Sequence, residues 1–286
     1  METTFGKITF FIVIAASVVF GIVLFTFWHV DTVLPQQEPQ LHIEMVDVRG
    51  VSAKSYVVFD FATGATIMEK DATAVLPIAS VTKLVTAAMV LESQNNDATT
   101  SIQWSDIITE GGAGKLKHSD IYSRTDLLYP LLLESSNDAA AALMRTTPQL
   151  LESMNSFATA QGLSKSKFFD TSGLSGQNVS TATELSIVAR TIFENYPHVF
   201  DITRLGQFIG VYTGWRNNNP LVQEEGYRGG KHGYTDEANR TAVAFFDEKF
   251  ESGHTATLGY VVLGSDTIKK DIEILRAEIH KKMRFE

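Results

Sequence analysis

The residues best suited to chemistry are a serine and a lysine three positions apart, Ser80 and Lys83. Lys83 is the only charged residue in the mostly apolar run 81–91, which predicts a buried helix that starts near Pro77. Residues three apart meet on one helix face, and a desolvated lysine loses its proton easily. Lys83 is therefore a candidate base for the Ser80 hydroxyl, which lies at the positive end of the helix dipole.

A Ser-x-x-Lys match is also expected by chance in a chain of this length, because both residue types are common. The chain holds a second match, residues 164–167, in a polar stretch between Gly162 and Phe168 that lacks a helical apolar pattern. We interpret the second match as surface. Spacing alone assigns no function to Ser80, and only the buried helical context separates the two matches.

The strands and helices that position Ser80 fall into three groups along the chain. Two strand patterns, 56–60 and 65–68, precede it, and helical patterns then dominate to about residue 205. Strand patterns return late in the chain, at 208–212, around Lys231, at 241–246 and at 255–263. An amphipathic helix, 267–282, follows the last of them. Strands at both ends predict an α/β fold of the α+β type, in which one antiparallel sheet is flanked by helices and carries an inserted all-helical subregion. A cleft between the two is a common ligand site.

Composition excludes several classes of function. The chain has 286 residues and a formal net charge of −9, so it lacks the positive charge of a nucleic-acid-binding protein. It has no cysteine, which excludes disulfides, thiol nucleophiles and cysteine-based zinc sites. Its seven histidines never fall within five residues of one another, so a His-x-x-x-His zinc helix is absent. We expect no metal and no cofactor.

The N-terminal region predicts a membrane anchor. Residues 8–28 carry no charge and, at about 1.5 Å per residue, span about 31 Å, close to the thickness of a bilayer core. A cleavable signal peptide has a shorter core of ~7–15 residues and a small-x-small cleavage site, and neither is apparent. We predict a single-pass transmembrane signal anchor at 8–28, with 1–7 in the cytoplasm because Lys7 precedes the span. Residues 29–50 form the predicted linker to an extracytoplasmic domain, 51–286.

Two further polar clusters stand out against their surroundings. Ser135 and Asn137 follow an apolar stretch and precede an alanine-rich helix, so this cluster is expected to be enclosed. The alternative is that Ser135 or Asn137 only caps that helix. Lys231 and Gly233 form the only Lys-x-Gly in the chain, and a glycine within a strand suggests that something approaches its backbone closely. The alternative there is an ordinary turn.

Ser80, Ser135 and Lys231 follow one another at separations of 55 and 96 residues. With these three motifs the chain resembles the penicillin-recognising serine enzymes, which carry Ser-x-x-Lys, Ser-x-Asn and Lys-Thr-Gly. It most resembles the serine-type D-alanyl-D-alanine carboxypeptidases, over about residues 51–280. Further matching stretches are 127–140, 154–163, 170–174 with Asn178, and 219–236. The resemblance implies a β-lactamase/transpeptidase-like fold for the domain that follows the transmembrane helix.

The resemblance also implies a role for each matching residue. Ser80 would be the nucleophile that forms an acyl-enzyme with the penultimate D-Ala carbonyl, and Lys83 its general base. Ser135, placed between Lys83 and Lys231, would pass a proton to the departing D-Ala. The oxyanion would be held by the backbone N–H groups of Ser80 and Tyr234, each donor worth roughly 3 kcal/mol of barrier. The residues implied in substrate binding are Asn137, Lys231, His232, Gly233 and Tyr234.

The implied partners are peptidoglycan stem peptides as substrate, β-lactam antibiotics as covalent inhibitors, and the membrane through 8–28. One departure concerns His232, which stands where the family has Thr or Ser. We expect a charged His232 that helps Lys231 hold the substrate carboxylate. The family also often carries a C-terminal β-rich domain and an amphipathic membrane helix, whose anchoring role the N-terminal span would take over.

Three rival functions stay open. A DD-endopeptidase that cuts peptidoglycan cross-links would use the same residues. A β-lactamase is disfavoured because the chain shows no Glu-x-x-Leu-Asn loop to activate the deacylating water. A peptidoglycan-binding protein could have lost turnover when His232 appeared.

Overall fold

Five antiparallel strands form the main sheet, and they come from both ends of the described chain. The computed structural model describes residues 48–282 apart from 108, 109, 112 and 252. The bounds of these strands are β1 Ser55–Asp60, β2 Thr66–Lys70, β9 Tyr227–Thr235, β10 Asn239–Lys249 and β11 Thr255–Ser265. They lie in the order β2-β1-β11-β10-β9 across the sheet. The pairing of β1 with β11 confirms that the C-terminal segment completes a sheet begun by the first strands.

Eight helices are assigned in the described part of the chain. They are α1 Thr82–Glu92, α2 Trp104–Ile107, α3 Arg124–Leu133, α4 Asn137–Thr146, α5 Leu150–Ala160, α6 Ala182–Asn195, α7 Pro197–Thr203 and α8 Ile268–Lys282. The closing helix α8 packs on β10 and β11. It buries the face that the sequence predicts, with Ile268, Ile272, Leu275 and Ile279.

The insert between β2 and β9 is not all helical, so that part of the prediction is wrong. Helices α1 to α7 alternate with three two-stranded ribbons, whose strands have only two or three residues each. The predicted strand at 208–212 overlaps one of these strands, and the others are too short to give a period-2 pattern in the sequence. The ribbons pair β3 Leu76–Pro77 with β6 Val179–Ser180, β4 Thr99–Ser101 with β5 Ile121–Ser123, and β7 Gln207–Ile209 with β8 Gly214–Arg216.

Helix α1 is the buried centre of the insert, as its composition predicts. Every residue from Thr82 to Val90 is buried. The predicted start near Pro77 is wrong, because Pro77 lies in β3, opposite Val179. Residues Ala79–Val81 form a 3-10 turn that leads into α1, so Ser80 precedes the α-helix proper.

The predicted cytoplasmic segment 1–7, the membrane anchor 8–28 and most of the linker 29–50 lie outside the described residues. These predictions therefore stay predictions. Among the described residues, none of the helices has the length and hydropathy needed to span a bilayer.

Candidate active site

Lys83 donates hydrogen bonds to three groups at the N-terminal end of α1. Its Nζ lies 3.0 Å from Ser80 Oγ, 2.8 Å from Asn137 Oδ1 and 2.5 Å from the carbonyl oxygen of Ser172. These acceptors match the three protons of an ammonium and offset part of the cost of its burial. The structure thus brings together Ser80, Lys83 and Asn137, three of the residues that the sequence singled out.

Burial lowers the pKa of Lys83 to about 7, and the nearby charge of Asp170 opposes this effect. A lysine with its ordinary pKa near 10.4 is almost fully protonated at neutral pH. With a pKa of about 7, a large share of Lys83 is the neutral amine, which is the form that accepts a proton from a hydroxyl.

The backbone around Ser80 is enclosed by two glycines. Ala79 has a φ of +46°, which is uncommon for a residue with a side chain and turns the chain sharply just before Ser80. A Cβ on Gly173 would lie 2.0 Å from Ala79 O, and one on Gly233 would lie 2.5 Å from Ser80 N. The expectation that a group approaches the Lys-x-Gly strand closely is confirmed, and that group is the Ser80 backbone.

Ser135 lies in the break between α3 and α4. Its φ of +61° stops the helical pattern that runs through this region. The helix cap is Ser136, whose hydroxyl accepts the N–H of Ala139 at 3.0 Å, so the capping alternatives for Ser135 and Asn137 are wrong. Asn137 begins α4, and its Nδ2 donates to the Glu110 carbonyl at 2.8 Å. This bond fixes the amide orientation that directs Oδ1 to Lys83.

Ser135 does not form the bridge between Lys83 and Lys231 that the resemblance implies. Its hydroxyl, half-buried, makes no hydrogen bond to any residue that the structure describes. Asn137 instead occupies the acceptor position at Lys83 Nζ. The Ser135 hydroxyl is therefore able to rotate toward a group that enters the site.

Lys231 is buried in β9, with only 1% of its surface exposed. Its Nζ donates to the carbonyl of His232 at 2.5 Å. Burial and the charge of Lys83 hold the pKa of Lys231 well below its usual range. Because side chains alternate along a strand and the missing Cβ of Gly233 points at Ser80, Lys231 shares the face of β9 that is turned toward Ser80.

His232 is half-buried and points to the opposite face of β9. Burial, reinforced by the charges of Lys231 and Lys83, lowers its pKa to about 3. The expectation of a charged His232 is therefore wrong, because the ring is neutral at physiological pH and offers one N–H donor.

The backbone N–H of Tyr234 lies on the free edge of the sheet. The N–H of Gly230 points away from β10 and donates to Thr203 Oγ1 at 3.0 Å. N–H groups alternate in direction along an antiparallel strand, so Tyr234, four residues on, presents its N–H at the same edge. Strand β9 contacts the 3-10 turn that carries Ser80, so both predicted oxyanion donors lie on adjoining elements. The Tyr234 side chain is 56% exposed and donates to Asp236 Oδ1 at 2.8 Å.

The turn that follows Asp170 is a part of the site for which the sequence predicted no role, although 170–174 is one of the stretches that match the family. Its carbonyl at Ser172 contacts Lys83, and its Gly173 contacts the backbone beside Ser80. The sequence feature that could have predicted this turn is the succession Asp-Thr-Ser-Gly at 170–173, which is typical of a turn organised by an Asp side chain. The second Ser-x-x-Lys lies elsewhere: Ser164 and Lys167 are exposed in a loop, which confirms its interpretation as surface. Within the described ranges, no cluster of three His, Asp or Glu side chains could hold a metal ion.

An antiparallel sheet flanked by helices, with a Ser-Lys pair at the start of one buried helix facing a Lys-x-Gly edge strand, defines a penicillin-recognising serine enzyme. The profile of peptidase family S11, D-alanyl-D-alanine carboxypeptidase, matches residues 42–267. The chain belongs to this family of serine DD-peptidases, which are hydrolases.

Relatives within the family carry two different names. The chain is 30% identical to a D-alanyl-D-alanine endopeptidase of Haemophilus influenzae, over 80% of this chain and 81% of that protein. It is 27% identical to the D-alanyl-D-alanine carboxypeptidase DacC of Escherichia coli, over 63% of this chain and 49% of that protein. The structure is similar to penicillin-binding protein D2 of Listeria monocytogenes in its cefotaxime-bound form. That similarity has a TM-score of 0.70 and 26% identity, and it covers 81% of this chain and 98% of that one.

Proposed function

We propose that this protein is a D-alanyl-D-alanine carboxypeptidase that removes the terminal D-Ala of peptidoglycan stem pentapeptides through an acyl-enzyme on Ser80. The observation that carries the proposal is the bond between Lys83 Nζ and Ser80 Oγ at 3.0 Å. It places a base with a pKa of about 7 on the Ser80 hydroxyl, the one hydroxyl among the three acceptors of Lys83 that the described residues supply.

Acylation begins when neutral Lys83 takes the proton from Ser80 Oγ. The freed oxygen forms a bond to the penultimate D-Ala carbonyl carbon, and the carbonyl oxygen becomes an oxyanion. The N–H groups of Ser80 and Tyr234 receive that oxyanion at the edge of β9. Asn137, held by Glu110, offers its amide to the acyl side of the peptide.

The tetrahedral intermediate then collapses, and the bond to the terminal D-Ala nitrogen breaks. That nitrogen needs one proton, which Lys83 gained in the first step. The rotatable hydroxyl of Ser135 relays it. Lys231 binds the terminal carboxylate as an ammonium, because a bound anion offsets the burial and repulsion that otherwise lower its pKa. Water next attacks the acyl carbonyl on Ser80 and gives up a proton to Lys83. The bond from that carbon to Ser80 Oγ then breaks, Lys83 returns the proton to Ser80 Oγ, and the shortened peptide leaves.

The substrate class rests on membership of the family, and product analysis tests it. Purified protein is incubated with a stem pentapeptide and, separately, with a cross-linked dimeric muropeptide. The carboxypeptidase proposal expects free D-Ala and tetrapeptide from the first substrate and no monomers from the second. Monomer release without free D-Ala would contradict it.

The second candidate is a D-alanyl-D-alanine endopeptidase, and one observation favours it. The Haemophilus influenzae relative carries that name, and its similarity to this chain extends over 81% of its length, against 49% for DacC. The same Ser80 chemistry would then act on a cross-link, in which the leaving amine belongs to a second stem peptide. Monomers released from the dimer would establish this activity.

Penicillin binding follows from the same acylation step, because a β-lactam presents a carbonyl and a carboxylate to the same groups. The Listeria monocytogenes neighbour in its cefotaxime-bound form supports this proposal. The third candidate, a peptidoglycan-binding protein without turnover, draws on His232 alone. A neutral imidazole N–H replaces a hydroxyl donor, so we favour retained turnover.

We further propose that the protein is anchored in the cell membrane by residues 8–28, with its domain on the extracytoplasmic side, where peptidoglycan is found. The uncharged run itself supports this placement. We expect to recover an intact N-terminus from the membrane fraction. We also expect protease added to spheroplasts to cleave the domain. Mature protein that begins near residue 30 would contradict it.

A further inference from the structure

A single carboxylate organises the turn that lies against Ser80 and Lys83. Asp170 Oδ1 accepts hydrogen bonds from Ser172 N at 2.7 Å, Ser172 Oγ at 2.9 Å and Gly173 N at 2.5 Å. Its Oδ2 accepts Ser175 N at 2.7 Å. Burial alone would raise the pKa of Asp170, but these four bonds outweigh it and hold that pKa below its usual range. Asp170 is therefore ionised at neutral pH.

The residues that Asp170 fixes touch both halves of the Ser-Lys pair. The Ser172 carbonyl oxygen accepts a bond from Lys83 Nζ at 2.5 Å. The next residue, Gly173, has a φ of +85° and packs so tightly on Ala79 O that a Cβ would have no room. Ala79 immediately precedes the nucleophile, so one turn bears on the base and on the backbone of Ser80.

We infer that Asp170 is a positioning residue, which holds the Ser172 carbonyl on Lys83 and Gly173 on the Ala79–Ser80 backbone. The inference rests on the proposed function and deepens it. Asp170 acts through the turn and through its charge, because its own oxygens are occupied by the turn.

The charges around Lys83 show what removal of Asp170 would do. Lys231 lies on the face of β9 that is turned toward the site, and its charge and that of Lys83 repel each other. His232 lies on the opposite face of β9 but is still influenced by the charge of Lys83. Asp138 is buried one residue beyond Asn137 on α4. Asp170 is the group whose negative charge favours the protonated form of Lys83. Without that charge Lys83 would lose its proton at lower pH. A turn that served stability alone would leave this proton equilibrium unchanged.

The test measures the second-order rate constant for acylation by a fluorescent penicillin between pH 5 and 9. Asp170→Asn keeps the size of the side chain but removes the charge and one acceptor. It should lower the rate about tenfold to a hundredfold, because the site loses its alignment. It should also move the acid limb of the profile to lower pH by about one unit.

Two further variants separate charge, position and general stability. Asp170→Glu retains the charge on a longer side chain, so its rate should fall while its acid limb stays at the wild-type pH. It also keeps the inference testable if Asp170→Asn does not fold. Asp126→Asn is the matched control, because Asp126 likewise organises a local turn, as the capping-box partner of Ser123 at the start of α3. The control should lose some thermal stability and keep the wild-type profile.

Each outcome bears on a definite claim. A wild-type protein that penicillin does not label at Ser80 would overturn the proposed function together with this inference. A labelled wild type whose rate and acid limb are unchanged in Asp170→Asn would overturn this inference alone. If Asp170→Asn lowers the rate but leaves the acid limb at the wild-type pH, Asp170 only holds the turn in place. That result would contradict the effect of its charge on the proton equilibrium of Lys83.

Discussion

The backbone of Gly233 on β9 lies against the backbone of Ser80, so close that a Cβ at Gly233 would sit 2.5 Å from Ser80 N. This contact joins the sheet to the helical insert at the position of the nucleophile. It also brings the free edge of β9, with the Tyr234 N–H, next to the turn that carries Ser80.

Gly233→Ala should therefore displace β9 from Ser80. We expect acylation by penicillin to slow about a hundredfold, because a shift near 1 Å in a reacting geometry has an effect of that order. Gly206→Ala is the matched control, since a Cβ there would meet nothing within 4 Å. Equal acylation rates for Gly233→Ala and wild type would show that this contact does not align the site.

The activity should rise with pH as Lys83 loses its proton. The base must be neutral to accept the Ser80 proton, and its pKa is about 7. We expect the acid limb of kcat/KM to have its midpoint near pH 7. Lys83→Met should abolish acylation across the whole range, whereas an acid limb that persists in Lys83→Met would assign the base to another group.

The same pKa shift has a consequence for stability. The unfolded chain holds Lys83 and Lys231 with ordinary pKa values, so between pH 7 and 9 it binds more protons than the folded chain does. The free energy of unfolding should therefore increase with pH over this window. Urea denaturation at several pH values measures the slope, which should be smaller in Lys83→Met. An unchanged slope in that variant would contradict the lowered pKa.

His232 should not titrate in the working pH range. Its pKa of about 3 leaves the ring neutral from pH 5 to 9. The kcat/KM profiles of wild type and His232→Thr should accordingly share one shape and differ only in height. If the activity of wild type falls between pH 6 and 7 and that of His232→Thr does not, the hypothesis that a charged His232 binds the substrate would be supported instead. A large gain in turnover by His232→Thr would favour the impaired-enzyme candidate.

The sequence predicts those features that depend on periodicity or on composition. The burial of α1, the strands at both ends of the domain and the apolar stripe of α8 all follow from the order of apolar residues, and the structure confirms them. The start of α1 was misplaced because the chain turns at Ala79 with a positive φ, a strain that tertiary contacts impose and local propensity does not reveal.

The site was predictable where one helix or one strand carries the residues. Ser80 and Lys83 meet because they are three residues apart, and Gly233 is small because Ser80 lies against it. The contact of Ser172 with Lys83 spans 89 residues of sequence, so no local pattern announces it. The pKa of His232 likewise depends on burial and on two lysines that only the fold brings near.

The central claim is that Ser80 becomes acylated, and mass spectrometry of the protein after incubation with penicillin tests it most directly. We predict one adduct, mapped to Ser80 after proteolysis, absent from Ser80→Ala and unchanged in Ser164→Ala, the control from the second Ser-x-x-Lys match. An adduct that maps to Ser164, or one that persists in Ser80→Ala, would contradict the account.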